Sequence, residues 1–142
     1  MKITSNFDSG NIEIIKADDP ADIQLAIRKD NKSDFYQWFH FRLNSPHPQL
    51  HKITITNAAG SAYPDGWQDY QAVASYDRQT WFRVETEYDG KALTINHYPE
   101  AESVYFAYFA PYSYERHQDL LHQAQNDYNC QLVDLGETLD GR

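Results

Sequence analysis

Basic residues are scarce in this chain, and cysteines and long apolar runs are scarcer still. Twelve Lys and Arg stand against 21 Asp and Glu in 142 residues, a formal net charge of −9. A balance of that sign repels phosphate backbones and anionic lipid headgroups. Nucleic acid and membrane are therefore not expected partners. No stretch approaches the ~20 apolar residues that a bilayer-spanning helix needs, and Met1-Lys2-Ile3-Thr4-Ser5-Asn6 puts no apolar run behind a basic cap. Cys130 is the one cysteine, so no disulfide can form within the chain, and a lone thiol fits a reducing cytoplasm. A packed side chain is expected there rather than a nucleophile. A Ser-His-Asp order, a phosphate-binding glycine loop and a Cys-x-x-Cys pair are all missing, which leaves nucleotide and redox chemistry without residues to perform it. There is no internal repeat and no low-complexity linker.

What the chain does have is enough apolar and aromatic material, 41% and 15%, to bury one substantial core. Up to about residue 110 that material comes in short period-two stretches ended by turn-forming residues, the pattern of an antiparallel β protein. Ile12 and Ile14 alternate with polar neighbours, and Ile23, Leu25 and Ile27 repeat the pattern after Asp18-Asp19-Pro20. In Phe35 to Leu43, one face holds Phe35, Phe39, Phe41 and Leu43 and the other Tyr36, Trp38, His40 and Arg42, predicting a central strand with the first face in the core and the second partly covered. Ser45-Pro46-His47-Pro48 ends it. Ile53 and Ile55 mark the next strand, and Asn57 to Asp69 is a long loop with Pro-Asp-Gly turn chemistry. Strands follow at Ala72 to Tyr76, Trp81 to Tyr88 and Leu93 to Tyr98, the last two joined by Asp89-Gly90 as a hairpin. Val104 to Ala110, aromatic on both faces, reads as a strand buried on both.

The character changes after Pro111. His117, Leu120, Leu121, Ala124 and Tyr128 fall at helical spacing, predicting one amphipathic helix capped by Ser113. Cys130 to Leu135 reads as a strand and Gly136 to Arg142 as a turn. A helix and strand with nothing after them suggest an element cut away.

Two segments resemble a known family. Tyr105-Phe106-Ala107-Tyr108-Phe109-Ala110-Pro111-Tyr112-Ser113-Tyr114 is similar to the strand-to-helix passage of cytosolic carboxypeptidases. The following helix with Leu135-Gly136-Glu137-Thr138-Leu139-Asp140-Gly141-Arg142 is similar to the opening of their zinc carboxypeptidase domain. Trp38-Phe39-His40-Phe41, Tyr63-Pro64-Asp65-Gly66-Trp67 and Trp81-Phe82-Arg83-Val84 resemble the aromatic motifs of the amino-terminal domain. The resemblance implies an all-β antiparallel sandwich over residues 1–111, then one helix and one strand over 112–142 that open a missing α/β catalytic domain. It further implies a cytoplasmic zinc metallocarboxypeptidase as the parent, acting on peptides or proteins, whose zinc ligands, general base and carboxylate-binding residues lie beyond Arg142. The fragment would then hold no cofactor and no catalytic or metal-ligating residue. The catalytic domain of the same chain would be its partner through Tyr112, Tyr114, Leu120 and Leu121, with self-association through the tail as a further expectation.

Some residues invite other readings. His97-Tyr98-Pro99-Glu100 spells His-x-x-Glu, which would suit a zinc pair in a metallohydrolase, but it precedes the catalytic opening and spacing places no third ligand beside it. His47, His51, His117 and His122 read as exposed or hydrogen-bonded histidines. Glu85, Glu87 and Asp89 alternate as a solvated strand face. Tyr63, Trp67, Tyr70 and Trp38 could form an aromatic platform for a sugar, as in a free-standing carbohydrate- or protein-binding sandwich, or could serve as core and interdomain contacts.

Overall fold

A computed structural model describes residues 1–138 and 141. It places ten strands: β1 (Lys2–Thr4), β2 (Glu13–Lys16), β3 (Ile23–Ala26), β4 (His40–Asn44), β5 (His51–Ile55), β6 (Val73–Ser75), β7 (Phe82–Arg83), β8 (Thr86–Tyr88), β9 (Leu93–His97) and β10 (Ser103–Ala107), followed by the helix α1 (Tyr114–Gln125). The strands form two five-stranded sheets, β1-β4-β10-β6-β7 and β2-β3-β5-β9-β8. Every pairing is antiparallel except β3 with β5. That exception follows from connectivity: the chain leaves β3, crosses to the other sheet as β4, and returns in the direction it left. The chain divides into two compact units, Met1–Pro111 and Tyr112–Arg142.

Alternation fixes the inner faces of the first unit. Ile23, Ile53 and Ile95 stand in one row across three strands and Leu25, Ile55 and Leu93 in the next, all fully buried. The opposing sheet contributes Phe39, Phe41, Leu43, Val104 and Phe106, with Phe41 stacked on Phe106 at 5.3 Å. Each fully buried side chain of this kind stabilises the fold by ~1.5–3 kcal/mol. Trp67, from a short 3-10 turn (Pro64–Trp67), closes one end of the core; its indole N–H donates to the Ala58 carbonyl at 3.0 Å and Ser61 Oγ at 2.8 Å. Asp89-Gly90 turns β8 into β9, with Gly90 at φ +89°, a region glycine enters without steric cost.

Several sequence expectations need correction. The central strand starts at His40, and Phe35 is 71% exposed rather than in the core. The segment before β4 bonds to loop 57–63 instead of a strand: Ala62 N–H donates to the Tyr36 carbonyl, and Tyr63 N–H to the Gln37 side chain. Trp81 to Tyr88 is two strands, because the chain passes from one sheet to the other at Val84-Glu85, where Val84 N–H bonds Ala72 and the Glu85 carbonyl accepts from Asn96. Cys130 to Leu135 forms no strand among the described residues, and Cys130 is exposed. Alternation alone does not make a strand without a ladder partner for its backbone groups. Leu139, Asp140 and Arg142 of the expected turn lie outside the described residues.

In the second unit, Ser113 caps α1 as expected, its hydroxyl accepting from Arg116 N–H at 3.3 Å. No residue of α1 is fully buried. Tyr128 lies beyond the helix end and is exposed.

Candidate interdomain surface

The two outer faces of the sandwich differ in chemistry. Along β5, β9 and β8 the outward side chains are Lys52, Thr54, Thr94, Asn96 and Glu87, an ordinary polar surface. Along β4, β10, β6 and β7 the outward positions are His40 and Arg42, Tyr105 and Ala107, Val73 and Ser75, and Arg83. Several of these are buried although they point away from the main core: His40, Ala107, Val73 and Ser75. Two loops distant in sequence cover them. Phe7, from the loop after β1, meets His40 edge-on at 4.8 Å and Tyr105 at 5.6 Å. Trp81 meets His40 at 5.7 Å, and Trp38 meets it at 6.0 Å and packs on Phe109 at 5.0 Å.

The β6–β7 loop is shaped by Asp77. Its Oδ1 accepts from Ser75 Oγ, Gln79 N–H and Thr80 N–H at 3.1, 2.8 and 2.7 Å, and these donors, the Thr80 N–H foremost, hold the carboxyl down at about 2. Arg78 is thereby kept at φ 64°, a region that residues other than glycine enter at a cost of ~1–3 kcal/mol. Its guanidinium lies over the rings of Tyr105 and Phe7, 5.4 and 5.9 Å from their centroids.

Polar atoms are stranded on this face. His40 Nδ1 lies 3.0 Å from Ser9 Oγ, but Nε2 has no partner, and Arg42 Nε is buried without one. Burial, then the nearby Arg78 charge, depress His40 to about 4, with Asp8 opposing weakly.

The remaining candidates sit apart. His97 is half-buried at the far end of β9, its Nε2 3.1 Å from the Tyr76 hydroxyl, which itself accepts from Glu100 N–H at 2.8 Å. The pair His97 and Glu100 thus serves a clasp between the sheets through Tyr76. His51, opposite His97 in register, is fully buried with neither ring nitrogen in a hydrogen bond of normal geometry, which corrects the expectation that it is exposed or satisfied. Burial depresses its pKa, only partly offset by the Gln49 backbone. Trp67 and Tyr70 are in or against the core, the Tyr70 hydroxyl bonding the Tyr108 carbonyl. The sugar platform is therefore not assembled. In the second unit Tyr112, Tyr114 and Leu120 are exposed and Leu121 half-buried; Tyr112 meets His117 at 6.1 Å and lies under Arg116 at 5.5 Å. Arg78 was not singled out by sequence; His40, Arg42 and Arg83 were named there only as members of an alternating face or an aromatic motif, with no role.

Residues 3–109 match the profile of the cytosolic carboxypeptidase N-terminal domain. The chain belongs to this family. It is 46% identical over its whole length to an uncharacterized protein of Zymomonas mobilis, covering 37% of that protein. A metallo-carboxypeptidase from Burkholderia cenocepacia superposes at TM-score 0.95 with 50% identity, over 99% of this chain and 37% of its own. A metallo-carboxypeptidase from Pseudomonas aeruginosa, solved with (2-guanidinoethylmercapto)succinic acid, superposes at 0.95 with 46% identity, over 100% and 38%. The chain thus spans little more than a third of these relatives, and over residues 3–109 it matches the N-terminal domain of cytosolic carboxypeptidases.

Proposed function

We propose that this domain supports a zinc-dependent carboxypeptidase, packing on the catalytic domain of the same parent chain, stabilising it and shaping the rim of its substrate cleft. The parent would remove a carboxy-terminal residue from a peptide or protein in the cytoplasm, and residues 112–142 would open its catalytic domain, with Tyr112, Tyr114, Leu120 and Leu121 among the contacts. What supports this reading most is the near-complete superposition of the chain on about a third of each metallo-carboxypeptidase.

The described donors of this chain do not converge on a catalytic zinc site. Such a site takes three protein ligands and leaves a position open for water, and no group of three His, Cys, Asp or Glu converges among the described residues. His97 is engaged with Tyr76, and Glu100 is exposed. Zinc chemistry would therefore belong to residues outside this chain. The test is direct: after dialysis the purified 142-residue chain should contain no stoichiometric zinc and release no amino acid from carboxy-terminal peptide substrates. One zinc per chain, or hydrolysis that survives repurification and stops with a chelator, would refute the reading.

A further inference from the structure

The outer face of the β1-β4-β10-β6-β7 sheet combines three observations that an ordinary solvated surface does not. First, it gathers three arginines, Arg42, Arg78 and Arg83, in a chain where acidic residues outnumber basic ones 21 to 12. The ion pairs Lys16–Asp22 and Lys29–Asp34 lie on other parts of the chain. Arg83 donates to the Gln71 carbonyl, and the Arg78 guanidinium carbon lies 5.4 and 5.9 Å from the Tyr105 and Phe7 ring centroids. Second, the rings around them, Trp38, Trp81 and Tyr105, are only half-covered. Arginine and large aromatic side chains are the types enriched where proteins meet. Third, the face holds buried polar atoms without partners, His40 Nε2 and Arg42 Nε, whereas the opposite sheet turns out a neutral and mixed-charge surface.

We propose that this face is where the catalytic domain of the parent chain docks, presenting carboxylates to the three guanidinium groups. The proposal rests on the accessory-domain reading above and adds to it the face and the chemistry. Charge complementarity selects the partner's character: guanidinium groups set among aromatic rings take carboxylates in bidentate geometry. The length of the relatives selects its source, since about two-thirds of each lies outside the part this chain matches. A partner in the same chain needs only a modest contact, because tethering supplies a high effective concentration. The Asp77-clamped loop then has a purpose in holding Arg78 at a costly φ, since a side chain fixed before docking loses less freedom on contact.

The test compares the full 142-residue chain alone with the same chain substituted for the matching N-terminal part of the Pseudomonas aeruginosa metallo-carboxypeptidase. Hydroxyl-radical footprinting should show oxidation of Trp38, Trp81 and Tyr105 falling several-fold in the chimera, with the Lys52 and Asn96 face unchanged. The double variant R78Q/R83Q should melt like the parent sequence in the isolated chain and earlier than it in the chimera. Protection on a different face in a chimera that hydrolyses peptides would overturn this proposal and leave the accessory-domain reading standing. Protection nowhere on residues 1–111 would overturn both.

Discussion

Trp67 is the side chain whose loss the sandwich should feel most sharply, because it combines large apolar burial with two hydrogen bonds. Trp67→Phe keeps much of the volume but removes the donor to the buried Ser61 Oγ, while the Ala58 carbonyl keeps its bond from the Ser61 N–H. An unsatisfied buried acceptor costs ~1–3 kcal/mol, so the urea midpoint should fall accordingly with the slope unchanged. The histidines give a separate, pH-linked prediction. His40, His51 and His97 are all depressed from 6.5, chiefly by burial, His40 to about 4. Below pH 6.5 the unfolded chain takes up protons that the native state refuses. Stability should therefore be complete above that pH and decline as pH falls toward 4, with His40 contributing on the order of 2–3 kcal/mol across the window. His40→Phe should flatten the decline between pH 6.5 and 4.5 in urea titrations; an unchanged slope would show that its ring is not the group responsible. Loss attributable to Asp77 belongs below pH 4, where its carboxylate titrates through about 2.

Among the elements, α1 is the one built most nearly from local signals. Ser113 supplies the cap, Glu115 sits in the first turn and His122 in the last, the order that complements a helix dipole. With no fully buried residue to hold it, its stability depends on those local terms. Ser113→Ala should cost ~1 kcal/mol of helix stability, visible as faster amide exchange over residues 114–118 and lower helical ellipticity, without change in the melting of the sandwich. The strands behave oppositely. Trp81 to Tyr88 has the alternation of one strand but serves two sheets, and Cys130 to Leu135, rich in apolar residues, forms no strand. In both cases ladder partners decide, and these come from elsewhere in the chain.

At the scale of the whole molecule, the main core lies entirely within Met1–Pro111. A chain ending at Pro111 should therefore fold with the thermal midpoint of the full chain, read by near-ultraviolet circular dichroism from its buried aromatic residues. It also removes the exposed Leu120, Leu132, Val133 and Leu135, whose apolar surface favours self-association. Sedimentation should then show a cleaner monomer. Failure of this shortened chain to fold would mean that residues 112–142 contribute to the sandwich itself.

Much of this could be seen in the residues alone. Alternation at Ile23-Leu25 and Ile53-Ile55 marked strands, Asp89-Gly90 a hairpin, Ser113 a cap, and the aromatic passage into Pro111 the family. These are local signals, each contained in a few consecutive positions. The parallel pairing of β3 with β5, the burial of His40 and His51, and the arginine-bearing outer face were decided only by the tertiary structure. Period two says that a strand has two faces without saying what lies over either one. Here the cover came from Phe7 and from the loop bearing Arg78 and Trp81, some thirty to forty residues from His40 in sequence and in contact with it only once both sheets have formed.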